Sequence, residues 1–313
     1  MSPQPQVAVV IVSYNTRKLL LECLGSVVEA AQDADIELVV VDNASDDGSY
    51  EAVRDAYPQV IAIRNPTNLG FGAACNQGIA STSAPHILLL NSDARLTGQA
   101  FQSLCNCLKK NERCGAAGCR LISESGVEVT NTRNFLTPLN QAFETAGIRF
   151  RSRRLRRSYE PSLDPNLVDC SVDWIDGACL MLRREALDEI GLFDEQFFMY
   201  SEDEDLCFRL EGRGWLVCYC GAGTVVHHGA ASSERDKLDM LRQFYLSQML
   251  FLSKHRGPGS SFFYSAAMSA VLVLKGLLLR DSNRRDRARE QLNALKEACV
   301  LKKQDGVGTS RHP

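Results

Sequence analysis

Residues 197–215, FFMYSEDEDLCFRLEGRGW, gather five carboxylates, Glu202, Asp203, Glu204, Asp205 and Glu211, around an apolar helical stripe. Ser201 can cap such a helix, Glu204 can close a capping box, and the helix dipole favours acids in a first turn. Those preferences account for about two or three of the four clustered acids, not all of them. A carboxylate held on a rigid element can take a proton from a hydroxyl, and like charges beside it tend to raise its pKa. The dipole acts in the opposite sense. Leu206 and Leu210 face the core, which puts Asp203 on or near the buried face one turn earlier. Asp203 is the candidate general base, with Glu202 beside it.

Other polar groups stand where apolar runs stop. Asp42 ends the run IELVVV and can accept from the imide N–H of a pyrimidine base or from a ribose hydroxyl. It can equally end the strand as a turn residue, with Ser and Asp-Asp-Gly following. Asp93 closes the most continuous apolar run, His86–Leu90. There it can hold a divalent cation against a diphosphate, or complete an Asn-Ser-Asp turn. His227-His228 follow a strand-like segment; one of them can join a metal at Asp93, or both can be structural. Trp174 can stack on a sugar ring while Asp176 binds hydroxyls and Gly177 permits close approach. A tryptophan of ordinary core is the competing reading.

The segment NLGFGAACNQG, residues 68–78, contains Gly70 and Gly72 before a helix and Asn76 within it. Cys75 stands where a dinucleotide fingerprint needs its third glycine, and the acid at the expected distance, Asp93, lies behind a second strand. Backbone at Gly70 can still approach a phosphate or ribose.

These residues need a frame. Strands are expected at 7–13, 36–41, 60–63 and 86–90, alternating with helices at 18–31, 49–56, 72–80 and 98–110. Apolar runs without alternation predict a mostly parallel sheet covered on both faces, with ligands at the carboxyl ends of its strands. Further on, two short strands are expected within 116–136, a Pro- and Arg-rich loop with some helix at 137–168, and a strand at 174–183. Helices at 184–190 and 202–211 come next, then a strand at 215–220 and a strand-like 224–228. Long helices at 236–254 and 281–303 end the chain. The expected division is a domain over 1–235, with a nucleotide-binding half to about 115 and an acceptor half beyond, and a helical extension over 236–313.

The chain has 313 residues, 45% of them hydrophobic and 23% charged, with a formal net charge of −3. That suits a soluble core-forming protein rather than a nucleic-acid binder. Twelve cysteines sit largely among apolar neighbours, and no signal peptide is evident, so reduced thiols in the cytoplasm are expected. Cys105, Cys107, Cys114 and Cys119 lack a paired knuckle spacing, which argues against zinc there. Residues 257–274 carry no charge. At 18 residues they are the bare minimum for a membrane span, and they suit a span, an interfacial helix or a buried helix. Arg149, Arg151, Arg153, Arg154, Arg156 and Arg157 can meet an anionic lipid surface or a diphosphate-linked acceptor, or form a solvated loop.

In their order and spacing, the segments VVIVSYN, VVVDNASDDGS, NLGFGAACNQG, LLLNSDARL, WIDGACLMLRREALDEIGLFDEQFFMYSEDEDLCFRLEGRGW and VVHHGAAS resemble the family 2 inverting glycosyltransferases of the GT-A fold, especially the bacterial rhamnosyltransferase-like branch. The resemblance spans about residues 7–233. It implies an α/β fold with a Rossmann-like, mostly parallel sheet. It implies that Ser13, Tyr14, Asn15 and Asp42 seat the nucleotide, Asp93 and His227 hold Mg2+ or Mn2+, and Asp203 with Glu202 supplies the base. Where relatives often carry two aspartates at the metal, this chain has Asn91-Ser92-Asp93. Ile175-Asp176 stands where relatives often have a small polar residue, which bears on acceptor preference.

The resemblance further implies a single displacement from a dTDP- or UDP-sugar, L-rhamnose among the sugars, to a glycan or polyprenyl-diphosphate-linked acceptor for cell-surface polysaccharide. That work belongs at the inner face of the plasma membrane. Two other classes are weighed. A nucleotidyltransferase should show a Gly- and Arg-rich loop after the first strand, where YNTRK stands. A non-catalytic binding module would not keep the acids at 202–205.

Overall fold

The computed structural model describes residues 5–147, 170–229, 237–279 and 281–305. The arginines at 149–157 lie outside the described residues, as does most of the 137–168 segment. The first half alternates as expected through β1 (Val7–Ser13), α1 (Arg17–Ala30), β2 (Ile36–Asp42), α2 (Ser49–Ala56), β3 (Ile61–Arg64), α3 (Phe71–Ala80) and β4 (His86–Asn91), and a short strand that was not expected, β5 (Ala94–Arg95), precedes α4 (Gly98–Lys110). Then follow β6 (Cys114–Ile122), β7 (Glu128–Val129), β8 (Thr132–Arg133) and α5 (Pro138–Ala146). After the undescribed segment come β9 (Cys170–Ser171), β10 (Trp174–Ile175), β11 (Cys179–Arg183), α6 (Arg184–Ile190), α7 (Glu202–Gly212) and β12 (Leu216–His227). Three helices finish the chain: α8 (Lys237–Arg256), α9 (Pro258–Leu278) and α10 (Ser282–Asp305).

The main sheet runs in the order β3-β2-β1-β4-β11-β6-β12-β5, with β7 on β6 and β9 on β12. The Val/Ile/Leu runs of β1, β2 and β4 are buried on both faces, so they can sit only as inner parallel strands under helices. Register then aligns their carboxyl ends, pairing Ser13 with Asp42 and Val12 with Asn91. At Gly78 of α3 a Cβ would come within 2.3 Å of Val10 Cγ1, so a glycine lets that helix lie close on the sheet.

Four expected strands take a different form. Residues 174–183 split. Trp174–Ile175 pairs with β8 in a separate two-stranded sheet, and Cys179–Arg183 inserts antiparallel between β4 and β6. The split falls at Asp176-Gly177, where Asp176 N–H bonds to Asn131 O, outside the main ladder. Residues 215–220 and 224–228 join into one strand, β12, parallel to β6, with a register break between Cys220 and Thr224. A bulge keeps both parts in one ladder despite the glycines at 221 and 223. Within 116–136 the first strand starts earlier and is longer, Cys114–Ile122.

Antiparallel insertion has a topological consequence. Because β11 runs against β4, it begins where β4 ends, and Asn91 N–H donates to Ala178 O at 3.0 Å. The start of β11, the ends of β1, β2 and β4, and the end of β12 therefore share one edge of the sheet.

The described residues form two compact units. One comprises 5–134, 170–198 and 202–229; the other comprises 135–147, 199–201 and the C-terminal helices. In the second unit α5 starts with a capping box between Thr137 and Asn140, with Pro138 at its first turn. Its core is built from Tyr245, Met249, Phe251, Leu252, Tyr264, Met268, Leu272 and Leu295, all buried. Helix α9 is long and apolar enough to cross a membrane, and only 22% of its most apolar window is buried. Phe262, Phe263, Leu277 and Leu278 are each at least two-thirds exposed.

Candidate active site

The aligned strand ends build a cradle. Ser13 and Asp42 are fully buried, and Tyr14 beside them is exposed. Asp42 Oδ1 accepts from Ser45 N–H at 3.0 Å, whereas its buried Oδ2 has no partner among the described residues. An unsatisfied buried carboxylate oxygen is costly, so it marks a place for an outside donor. Asn15 adopts a left-handed φ of 54°. Its amide N–H donates to Ser45 Oγ, and its Oδ1 accepts from Asp46 N–H. Asn and Asp tolerate that backbone better than other residues with a Cβ. Below the cradle, Thr16 bridges Ser13 and Ser92 through hydroxyls 3.0 and 2.8 Å away.

Gly70 and Asn76 occupy the adjoining loop and helix. Gly70 has φ +88°, and a Cβ there would lie 2.3 Å from Phe198 O. Phe71 N–H bonds to that same oxygen, which ties the start of α3 to the segment leading into α7. Asn76 Nδ2 donates to Phe193 O and to Glu195, while its Oδ1 accepts from Phe193 N–H. In this structure both residues hold the loop before the acidic helix.

At the end of β4, Asp93 meets β12. His227 Nε2 lies 3.1 Å from Asp93 Oδ1 and 3.3 Å from Asn91 Nδ2. His228 instead sends Nε2 toward Glu124, 3.4 Å away, and only its backbone N–H bonds to Asp93 O. Of the two histidines, His227 is the one whose ring reaches Asp93. A carboxylate oxygen and an imidazole nitrogen at this spacing fit a divalent cation such as Mg2+ or Mn2+.

The acidic helix begins beyond Tyr200 and Ser201, which both adopt left-handed backbone, φ 69° and 61°. Ser201 thus lacks the extended conformation usual for an N-cap. Asp203 accepts from its neighbour Glu204 N–H through Oδ1 and from Gly177 N–H through Oδ2, both at 2.8 Å. Asp205 has a structural role: Oδ2 accepts from Arg209 Nε at 2.8 Å, and Arg209 also grips the carbonyls of Ile190 and Leu192. Glu202 is buried, and its Oε2 has no partner among the described residues.

Burial and mutual repulsion set the charge states. Burial, and then the Asp203 charge, push Asp176 up to about 7, against the opposing charges of Arg133 and His227. Burial and the Asp203 charge drive Glu202 far above the usual carboxylate range. Burial also raises Asp203, opposed by the N–H groups of Gly177 and Glu204 and by Arg133. A neutral Glu202 thus accompanies two carboxyls that titrate higher than exposed ones do. The site gathers Asp176, Gly177, Glu202, Asp203 and His227. Trp174 lies at its edge, with Nε1 donating to Asn134 O.

Arg133 was not legible in the sequence. It lies in an irregular stretch with no motif, and only the pairing of β8 with β10, which opposes Arg133 and Trp174, brings its charge to Asp176 and Asp203.

Known proteins agree with this architecture. The family model "Glycosyl transferase family 2" matches residues 8–191. An N-acetylglucosaminyl-diphospho-decaprenol L-rhamnosyltransferase of Mycobacterium tuberculosis is 28% identical over 304 residues, covering 90% of this chain and 95% of its own. The low-salt glycan biosynthesis hexosyltransferase Agl10 of Haloferax volcanii is 22% identical over 254 residues, covering 78% and 76%. Among solved structures, the Pyrobaculum calidifontis mannosyltransferase PcManGT, in complex with GDP-Man and Mn2+, superposes with a TM-score of 0.60 at 18% identity, covering 97% of this chain and 88% of that one. The sheet order, the polar strand ends and the matched family model together establish this chain as a member of glycosyl transferase family 2, a glycosyltransferase of the GT-A fold.

Proposed function

We propose that the protein transfers a sugar, L-rhamnose first among those to be tried, from a dTDP- or UDP-sugar to a hydroxyl of a polyprenyl-diphosphate-linked glycan. The observation that carries this reading is Asp203, held by Gly177 N–H and crowded by Asp176 and Glu202. A carboxylate whose affinity for protons is raised by burial is suited to take one from an acceptor hydroxyl as that oxygen attacks the anomeric carbon. Attack from the face opposite the nucleotide inverts the anomeric centre. The unpartnered Asp42 Oδ2 is available to a base imide or ribose hydroxyl. Asp93 and His227 would hold Mg2+ or Mn2+, whose chemistry there is to neutralise charge on the leaving diphosphate. The sugar and the acceptor class rest on the mycobacterial relative, an N-acetylglucosaminyl-diphospho-decaprenol L-rhamnosyltransferase.

A lipid-linked acceptor requires access to a membrane surface. The exposed Phe262, Phe263, Leu277 and Leu278 on α9 support interfacial contact, with Lys254, His255 and Arg256 closing the preceding helix. Peripheral association at the cytoplasmic face is the corresponding reading.

The test is a panel of nucleotide sugars with Mg2+ or Mn2+ and a polyprenyl-diphosphate-linked N-acetylglucosamine acceptor, scored for glycosylated lipid. Transfer from dTDP-L-rhamnose that is lost in Asp203→Asn supports the proposal. Transfer from a different donor sinks the rhamnose assignment, and transfer unaffected by D203N sinks the assigned base.

A further inference from the structure

Away from the strand-end site, folding assembles a second set of reactive side chains. Cys107 lies in the last turn of α4, Cys114 begins β6, and Cys218 lies on β12 beside β6. Their sulfur atoms all lie within 4.8 Å of one another, and Cys107 and Cys114 are 3.9 Å apart. Cys220, two residues along the strand from Cys218 and so on the same face, also brings its thiol to Cys107. All four cysteines are buried. Around a tetrahedral Zn2+ with bonds of about 2.3 Å, thiolate sulfurs stand about 3.8 Å apart, close to the spacing present here.

The surroundings hold this arrangement. A turn through residues 111–113, closed by Asn111 N–H to Cys107 O and Cys114 N–H to Asn111 O, brings Cys107 and Cys114 together. Arg183 clamps the turn by donating to the carbonyls of Leu108, Asn111 and Cys114 at 2.5, 3.1 and 2.9 Å. Asn111 Nδ2 reaches Cys218 Sγ at 4.0 Å, the kind of outer contact that orients a metal ligand. By contrast, Cys105 and Cys119, which share the same stretch of sequence, are not among these sulfurs, and Cys119 interacts with Cys179.

We propose that Cys107, Cys114 and Cys218, with Cys220 as fourth ligand, form a buried structural site for a thiophilic cation, Zn2+. Soft thiolates do not select Mg2+ or Mn2+, so this site is distinct in chemistry from the Asp93–His227 pair. Its role is to fasten the end of α4 to β6 and β12, in the unit that carries the catalytic edge.

The experiment uses the full chain, produced reduced in zinc-depleted medium supplemented with Co2+, so that a metal can enter as the core forms. One Co2+ per chain, with a sulfur-to-cobalt charge-transfer band that Zn2+ bleaches, is expected. Cys107→Ser and Cys218→Ser should lose both ion and band, and Cys105→Ser should keep them. Should the serine variants fail to fold, the wild-type spectrum decides alone. Protein lacking stoichiometric metal overturns the proposal, as does cobalt bound without the thiolate band or a Cys107→Ser variant that retains it.

Discussion

Gly177 N–H donates to Asp203 Oδ2 at 2.8 Å, joining the turn before β11 to the first turn of α7. These residues are 26 positions apart, and their contact fixes the carboxylate's direction with a backbone group that no side-chain substitution removes. A Cβ at Gly177 would lie 3.2 Å from Phe71 Cε1, so glycine also permits the close packing that makes the bond. The preceding residue of the same turn, Asp176, is buried and lies within the field of the Asp203 charge, and both raise its affinity for a proton.

Asp176→Asn should change the pH dependence of stability. Between the usual carboxylate value of 3.8 and about 7, the folded chain holds a proton on Asp176 that the unfolded chain has released. The native state then binds more protons, so this group's contribution to stability falls as pH rises through that window. The asparagine variant should lose that slope and be more stable at pH 7.5 by roughly 1–3 kcal/mol, measured by denaturant unfolding at pH 5 and 7.5.

Asp42→Asn preserves the acceptor for Ser45 N–H but turns Oδ2 into a donor. Nucleoside diphosphate affinity should fall roughly tenfold to a hundredfold by calorimetric titration, the scale of one mismatched buried hydrogen bond. Unchanged affinity with a lowered melting temperature would assign Asp42 to the turn alone.

Removal of divalent metal by EDTA should abolish transfer, with Mn2+ or Mg2+ restoring it. Asp93→Ala and His227→Ala should each raise the metal concentration for half-maximal activity roughly tenfold or more. His228→Ala, which loses a contact to Glu124 instead, should leave it unchanged. Equal effects of the two histidine substitutions would overturn this assignment of the ligand.

Gly70→Ala forces a side chain into left-handed backbone and against Phe198 O. A loss on the order of 2–4 kcal/mol is expected in urea unfolding, from the backbone penalty and the clash together. Transfer activity should fall further than stability explains, since the displaced segment leads into Glu202.

The sequence by itself determined the strand and helix order of the first half, because unbroken apolar runs such as VAVVIVS and HILLL can be buried only as inner parallel strands. It also determined which polar residues stand at strand ends, since a strand stops where burial becomes costly, at Asp42 and at Asn91-Ser92-Asp93. The acids at 202–205 were conspicuous for their density, but local spacing could not sort Asp203, with its N–H from Gly177, from Asp205, satisfied by Arg209. Only the tertiary structure decided that β11 runs antiparallel, bringing Asp176 and Gly177 to Asp203, and that β8 pairs with β10, bringing Arg133 there. It likewise decided that Cys107 and Cys114 meet Cys218 rather than Cys105 and Cys119. These are contacts across many tens of residues, set by strand order and register, whereas periodicity within a segment reports only which of its own faces is buried.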